Sequence, residues 1–260
     1  FAPVRPVTQR SRLERLPLTL SPWEAACRLR RRPGFVFLES ALPGPDHPLS
    51  LLASDPEDEC RSLDAVQAAL DAHRCPPGPD LAMPDGALIG WLTYDGEVRF
   101  GRYPHLLVYD HLADAWYGSP VALARLARQP AEPGAFRCDP RPELDRTAFT
   151  AMVRRAREYI AAGDIYQVNL SRQWSGPVEG DAFGYYAALR DASPAPHAAW
   201  LDFGDVQVAS SSPETFLRLD GSRILTRPIK GTRPRRPDPA DDERSAYDLL
   251  TTPKEIAELV

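Results

Sequence analysis

Four short apolar runs between residues 200 and 226 constrain the fold of this 260-residue chain more than any other feature. Trp200-Leu-Asp-Phe203, Val206-Gln-Val-Ala-Ser210, Thr215-Phe-Leu-Arg-Leu219 and Arg223-Ile-Leu-Thr226 have strand length and strand composition. Asp205 and Asp220-Gly221 fall between them, and such residues suit tight turns. Successive strands joined this closely pair antiparallel, because a parallel crossover needs a dozen or more residues. A helix precedes them. Phe149, Met152, Val153, Ala156, Tyr159 and Ile160 share one face, Asp145 can cap the start and Gly163 can end it in a left-handed turn. Ile165-Tyr-Gln-Val-Asn-Leu-Ser171 then reads as a strand and Tyr185 to Arg190 as helical. The second half therefore predicts a helix feeding an antiparallel sheet.

The first half reads as short strands alternating with helices. Gly34 to Ser40, Ala87 to Tyr94, His105 to Asp110 and Ala113 to Tyr117 have strand chemistry, and Ser62 to His73 has helical spacing. Pro- and Gly-rich stretches at 43–48 and 76–84 read as loops. The Pro-rich segment Glu132 to Pro142 marks a boundary, giving an N-terminal region 1–139 and a second region 140–260. Pro253 suits the first turn of a last helix over Lys254 to Val260. That pattern stops without a cap, so the chain is expected to be a piece of a longer protein.

Composition narrows the classes. Hydrophobic residues are 43% and charged residues 26%, which is globular and excludes a wholly disordered chain. A net charge of −5 argues against nucleic-acid binding through bulk charge. No apolar run approaches the roughly 18 residues of a membrane helix, and the first 16 residues hold no apolar signal core. The four cysteines form no close pair, matching neither a zinc pattern nor a dense disulfide framework. The expected location is cytoplasmic.

Three constellations carry chemistry. Only Lys230 and Lys254 are lysines, so 29 of the 31 basic residues are arginine. A genome bias explains the excess, but arginine cannot replace lysine where a deprotonatable amine is needed. Lys230 stands in Arg227-Pro-Ile-Lys-Gly-Thr-Arg233, at the end of an expected strand and before a glycine. A partly buried amine there could act as a nucleophile; a surface lysine on a turn fits the same residues. Glu214, in Ser-Ser-Pro-Glu-Thr, could serve as general acid or base, or be a solvated turn residue. Glu255 and Glu258 are three apart on the last expected helix, a spacing that can hold Mg²⁺ or simply face water.

Together, Ser-Pro-Glu, Pro-Ile-Lys-Gly-Thr and Lys-Glu-x-x-Glu, in this order, resemble the chorismate-utilising enzymes. Gly163-Asp-Ile-Tyr-Gln-Val-Asn-Leu170 is similar to the opening of that family's chorismate-binding region, and Phe37-Leu-Glu-Ser40 to its N-terminal tryptophan-site motif. Ser193-Pro-Ala-Pro196 is similar to a second part of that pocket. The resemblance implies an α/β fold of packed antiparallel sheets with outer helices. It is closest to aminodeoxychorismate synthase component I, because anthranilate synthases typically carry alanine where Lys230 stands. It implies that Lys230 attacks C2 of chorismate, that Glu214 protonates the departing C4 hydroxyl, and that Gly231 and Thr232 face the substrate. It also implies Mg²⁺ held in part by Glu255 and Glu258, and a glutamine amidotransferase subunit that supplies ammonia. Glu39, Ser40 and Pro196 would line a tryptophan pocket. Members run beyond the Lys-Glu-x-x-Glu helix, so this piece alone is expected to be inactive. The rival readings are anthranilate synthase component I and a non-catalytic module that binds tryptophan or the amidotransferase.

Overall fold

A computed structural model of the chain describes residues 13–73, 86–229, 231–253 and 256. The chain opens with β1 (Glu14–Leu16) and α1 (Pro22–Leu29), followed by β2 (Val36–Glu39), β3 (Leu49–Ala53), β4 (Asp58–Cys60) and α2 (Leu63–Ala72). Next come β5 (Ala87–Leu92), β6 (Val98–Tyr103), β7 (Leu106–Asp110), β8 (Ala115–Gly118) and the short α3 (Pro120–Ala124). The strands β9 (Phe136–Cys138) and β10 (Arg141–Pro142) lead into α4 (Arg146–Ala162). Then follow β11 (Trp174–Ser175), β12 (Val178–Gly180), α5 (Ala182–Ala192), β13 (His197–Asp202), β14 (Gln207–Ser212), β15 (Thr215–Asp220), β16 (Arg223–Arg227) and α6 (Pro239–Thr251).

Local chemistry explains the helix ends. Asp145 accepts from the Ala148 N–H at 2.7 Å, and Gly163 closes α4 at φ 83°, a left-handed conformation that glycine adopts without steric cost. Ser62 caps α2 in the same way. At α1 the sequence Ser21-Pro-Trp-Glu24 forms a reciprocal capping box with proline in the first turn.

The main sheet has the order β1-β8-β7-β3-β2-β13-β14, and each neighbouring pair is antiparallel. Two of its strands come from beyond residue 140, so the sheet spans the Pro-rich segment at 132–142. Period-2 alternation sends neighbouring residues to opposite faces. Phe37, Leu52, Leu107, Trp116 and Trp200 pack under the helices with Ala25, Ala26 and Leu29 of α1 and Phe183 and Tyr186 of α5. Val36, Ala53, Leu106, Val108 and Leu201 pack on the other face against Ile89 and Tyr103 of a three-stranded sheet, β4-β6-β5. Each Val, Leu, Ile or Phe side chain among them, fully buried, stabilises the fold by roughly 1.5–3 kcal/mol. The fold is therefore mixed α/β with packed antiparallel sheets and outer helices.

Two expectations differ from what forms. Ile165 to Ser171 is irregular rather than a strand, with Tyr166 and Val168 exposed. A strand needs a ladder partner for its backbone groups, and no described strand lies beside it. The apolar stripe of α4 forms at the expected spacing, but no described element covers it, and Met152, Val153, Tyr159 and Ile160 remain exposed. Among the described residues, no helix is long and apolar enough to cross a membrane.

Candidate functional site

Strand β2 divides the expected pocket residues between two faces. Glu39 follows Phe37 onto the helix side, where it is only 5% exposed. Its Oε1 accepts from Arg190 Nη2 at 2.6 Å, and its Oε2 accepts from Arg190 Nε at 2.9 Å and from the Tyr186 hydroxyl at 3.0 Å. Arg190 in turn stacks 4.5 Å from the ring centroid of Trp23. Burial, reinforced by the Glu39 charge, pushes the Tyr186 hydroxyl far above its ordinary value, so it stays a neutral donor. The Glu39 hydrogen bond keeps Arg190 firmly charged.

Ser40 turns the other way, donating to the Leu49 carbonyl at 2.8 Å. It lines a cleft of about 520 Å³ with Asp46, His47, Pro196, His197 and Arg218. Ser40 and Pro196 thus share this cleft, whereas the Glu39 carboxylate is committed to Arg190 and Tyr186 under α5. The His47 and His197 rings meet edge to face at 4.4 Å, and His197 Nε2 lies 2.9 Å from Thr215 Oγ1. Burial lowers the His197 basicity, and the neighbouring His47 lowers it further.

The cleft borders the hairpin β15–β16, whose base joins Thr215 to Arg227 in register. Glu214 enters that hairpin and Pro228 leaves it. The Glu214 carboxylate accepts from the Ile229 N–H at 3.2 Å, which brings it to the backbone one residue before Lys230. Glu214 is exposed. Gly231 takes φ 72°, in the left-handed region that favours glycine, and Thr232 is exposed beyond it. Lys230, Glu255 and Glu258 lie outside the described residues. Among the described residues, no group of three metal-binding side chains is assembled.

The sequence reading missed Arg190 and Tyr186, and also the cleft residues Asp46, His47, His197, Arg218 and the neighbouring Arg227. One signal was available: alternation puts Glu39 on the Phe37 side, and a carboxylate facing the core requires a cation.

The family of chorismate binding enzymes matches residues 45–260, and the chain belongs to that family. The chain is 35% identical over 239 residues to anthranilate synthase component 1 of Thermus thermophilus, covering 78% of this chain and 51% of that protein. Against aminodeoxychorismate synthase component 1 of Escherichia coli it is 37% identical over 129 residues, 50% of this chain and 28% of that protein. The structure of anthranilate synthase component I from Streptococcus pneumoniae superposes with a TM-score of 0.65 at 23% identity, covering 95% of this chain and 66% of that one. The chain spans about half the length of the curated relatives it matches.

Proposed function

We propose that this chain is part of an aminodeoxychorismate synthase component I, which aminates chorismate to 4-amino-4-deoxychorismate. The neutral amine of Lys230 attacks C2 of the ring. The two conjugated ring double bonds each shift by one position, the C4–O bond breaks, and Glu214 delivers the proton that lets the hydroxyl leave as water. Ammonia then bonds to C4, both double bonds return, and the lysine amine departs with its proton restored. Two displacements replace one difficult substitution, which is what a covalent nucleophile contributes. Gly231 and Thr232 face the substrate. Glu255 and Glu258 would help hold Mg²⁺, which when bound neutralises a substrate carboxylate. A glutamine amidotransferase subunit supplies the ammonia.

The observation that carries this reading is the hydrogen bond from the Ile229 N–H to the Glu214 carboxylate, because it joins the candidate acid to the segment of the candidate nucleophile. Lys230→Ala in the full-length enzyme is the test. Aminodeoxychorismate formation disappears if the assignment is right, and its survival removes Lys230 from the mechanism.

A second reading is anthranilate synthase component I, favoured by relatives of that name that cover 78% and 82% of this chain. Release of anthranilate from chorismate and ammonia by the full-length enzyme decides for it. The cleft lined by Ser40 and Pro196 also supports an amino-acid pocket, with tryptophan the ligand of choice. Calorimetry reads this directly, and absence of heat removes the pocket.

A further inference from the structure

We propose that the Gly44–His47 turn is a positioning element for the candidate reaction segment, acting on the base of the β15–β16 hairpin through one direct contact, Asp46 to Arg227, and one relayed from His47 through His197 to Thr215. The inference rests on the reading of residues 228–232 as that segment. The turn is closed by the His47 N–H donating to the Gly44 carbonyl at 3.0 Å. Its tip carries two side chains with different targets. Asp46 meets Arg227 fork to fork, with Oδ1 accepting from Nη2 at 2.8 Å and Oδ2 lying 2.7 Å from Nη1. His47 packs edge to face on His197, whose Nε2 meets the Thr215 hydroxyl at 2.9 Å.

The two contacts converge. Thr215 and Arg227 are partners in the hairpin ladder, with Glu214 immediately before one and Pro228 immediately after the other. The turn therefore grips the hairpin at the strand pair from which both candidate reacting segments depart. The hairpin is a separate two-stranded sheet, and Phe216 and Ile224 on it are exposed. A two-stranded hairpin is marginal alone in water, so a few outside contacts decide where it sits. A bidentate guanidinium–carboxylate pair fixes orientation as well as distance, which suits this role. The Asp46 and Arg227 side chains are 60% and 43% exposed, so each variant is expected to have a modest effect.

The experiment compares Asp46→Ala, and Asp46→Arg combined with Arg227→Asp, in the full-length enzyme. Backbone amide exchange over residues 213–229 and steady-state kinetics with chorismate and ammonia are measured. Asp46→Ala speeds exchange in that segment ~2- to 5-fold and lowers kcat by a similar factor, with KM for chorismate unchanged. The charge swap restores both. Unchanged exchange in Asp46→Ala, or a swap as fast-exchanging as the single variant, overturns the proposal. A wild-type enzyme that forms no 4-amino-4-deoxychorismate refutes the functional reading instead, and the exchange measurement still decides whether the turn positions the hairpin.

Discussion

Replacing Arg190 with methionine tests the buried network around Glu39. Methionine keeps much of the stem that packs over Trp23 but removes the charge. The Glu39 carboxylate, 5% exposed, then loses its cation and keeps the Tyr186 hydroxyl as a donor. Breaking a buried pair from one side costs ~3–5 kcal/mol. The Arg190 side chain is 23% exposed, so water screens part of the interaction and the lower end applies, about 3 kcal/mol. At about 2–4 °C per kcal/mol for a chain of this size, the melting temperature should fall by about 6–12 °C. Thermal unfolding followed by circular dichroism reads the shift. Glu39→Gln combined with Arg190→Met should recover more than half of the loss, because the penalty lies in the orphaned charge. A loss below about 1 kcal/mol, or a double variant no more stable than the single one, would falsify the argument.

Gly184→Ala separates propensity from packing. Alanine improves an open helix position by ~1 kcal/mol, but here its Cβ would sit 2.1 Å from the Gly134 carbonyl oxygen, so the variant should unfold ~1–3 kcal/mol more easily in urea; a stabilised variant contradicts the close packing of α5. Stability should also fall on mild acidification. Burial lowers the basicity of His105, His111 and His197, so between the unfolded histidine value of about 6.5 and their lower folded values the unfolded chain binds more protons. Their contribution is complete above about pH 6.5 and is lost as pH falls through the folded values. Melting temperatures measured from pH 7.5 down to 5 should decline, and His197→Asn should flatten the decline. A flat profile for the unsubstituted chain contradicts the shifts.

Much of the fold was readable because its signals are local. Asp145 and Gly163 delimit α4 through their own backbone chemistry, and the apolar runs of β13 to β16 need only their neighbours to pair. Ile165 to Ser171 failed for the opposite reason: apolar composition suits a strand, but a strand exists only where a partner lies alongside. The capping box at Ser21 and Glu24 was equally local and passed unread. The site divides in the same way. Glu214 stands out by its motif, but its contact with Ile229 depends on the hairpin register. Asp46 and Arg227, 181 residues apart, meet only because the folded sheet carries the turn to the hairpin, and no local pattern encodes that.

The proposed covalent role of Lys230 is tested most directly by peptide mass analysis of the full-length enzyme given chorismate with ammonia withheld and then quenched. The account predicts that the peptide carrying Lys230 gains the mass of chorismate less one water, and that added ammonia discharges it as aminodeoxychorismate. An unmodified Lys230 in an enzyme that still makes aminodeoxychorismate would contradict it.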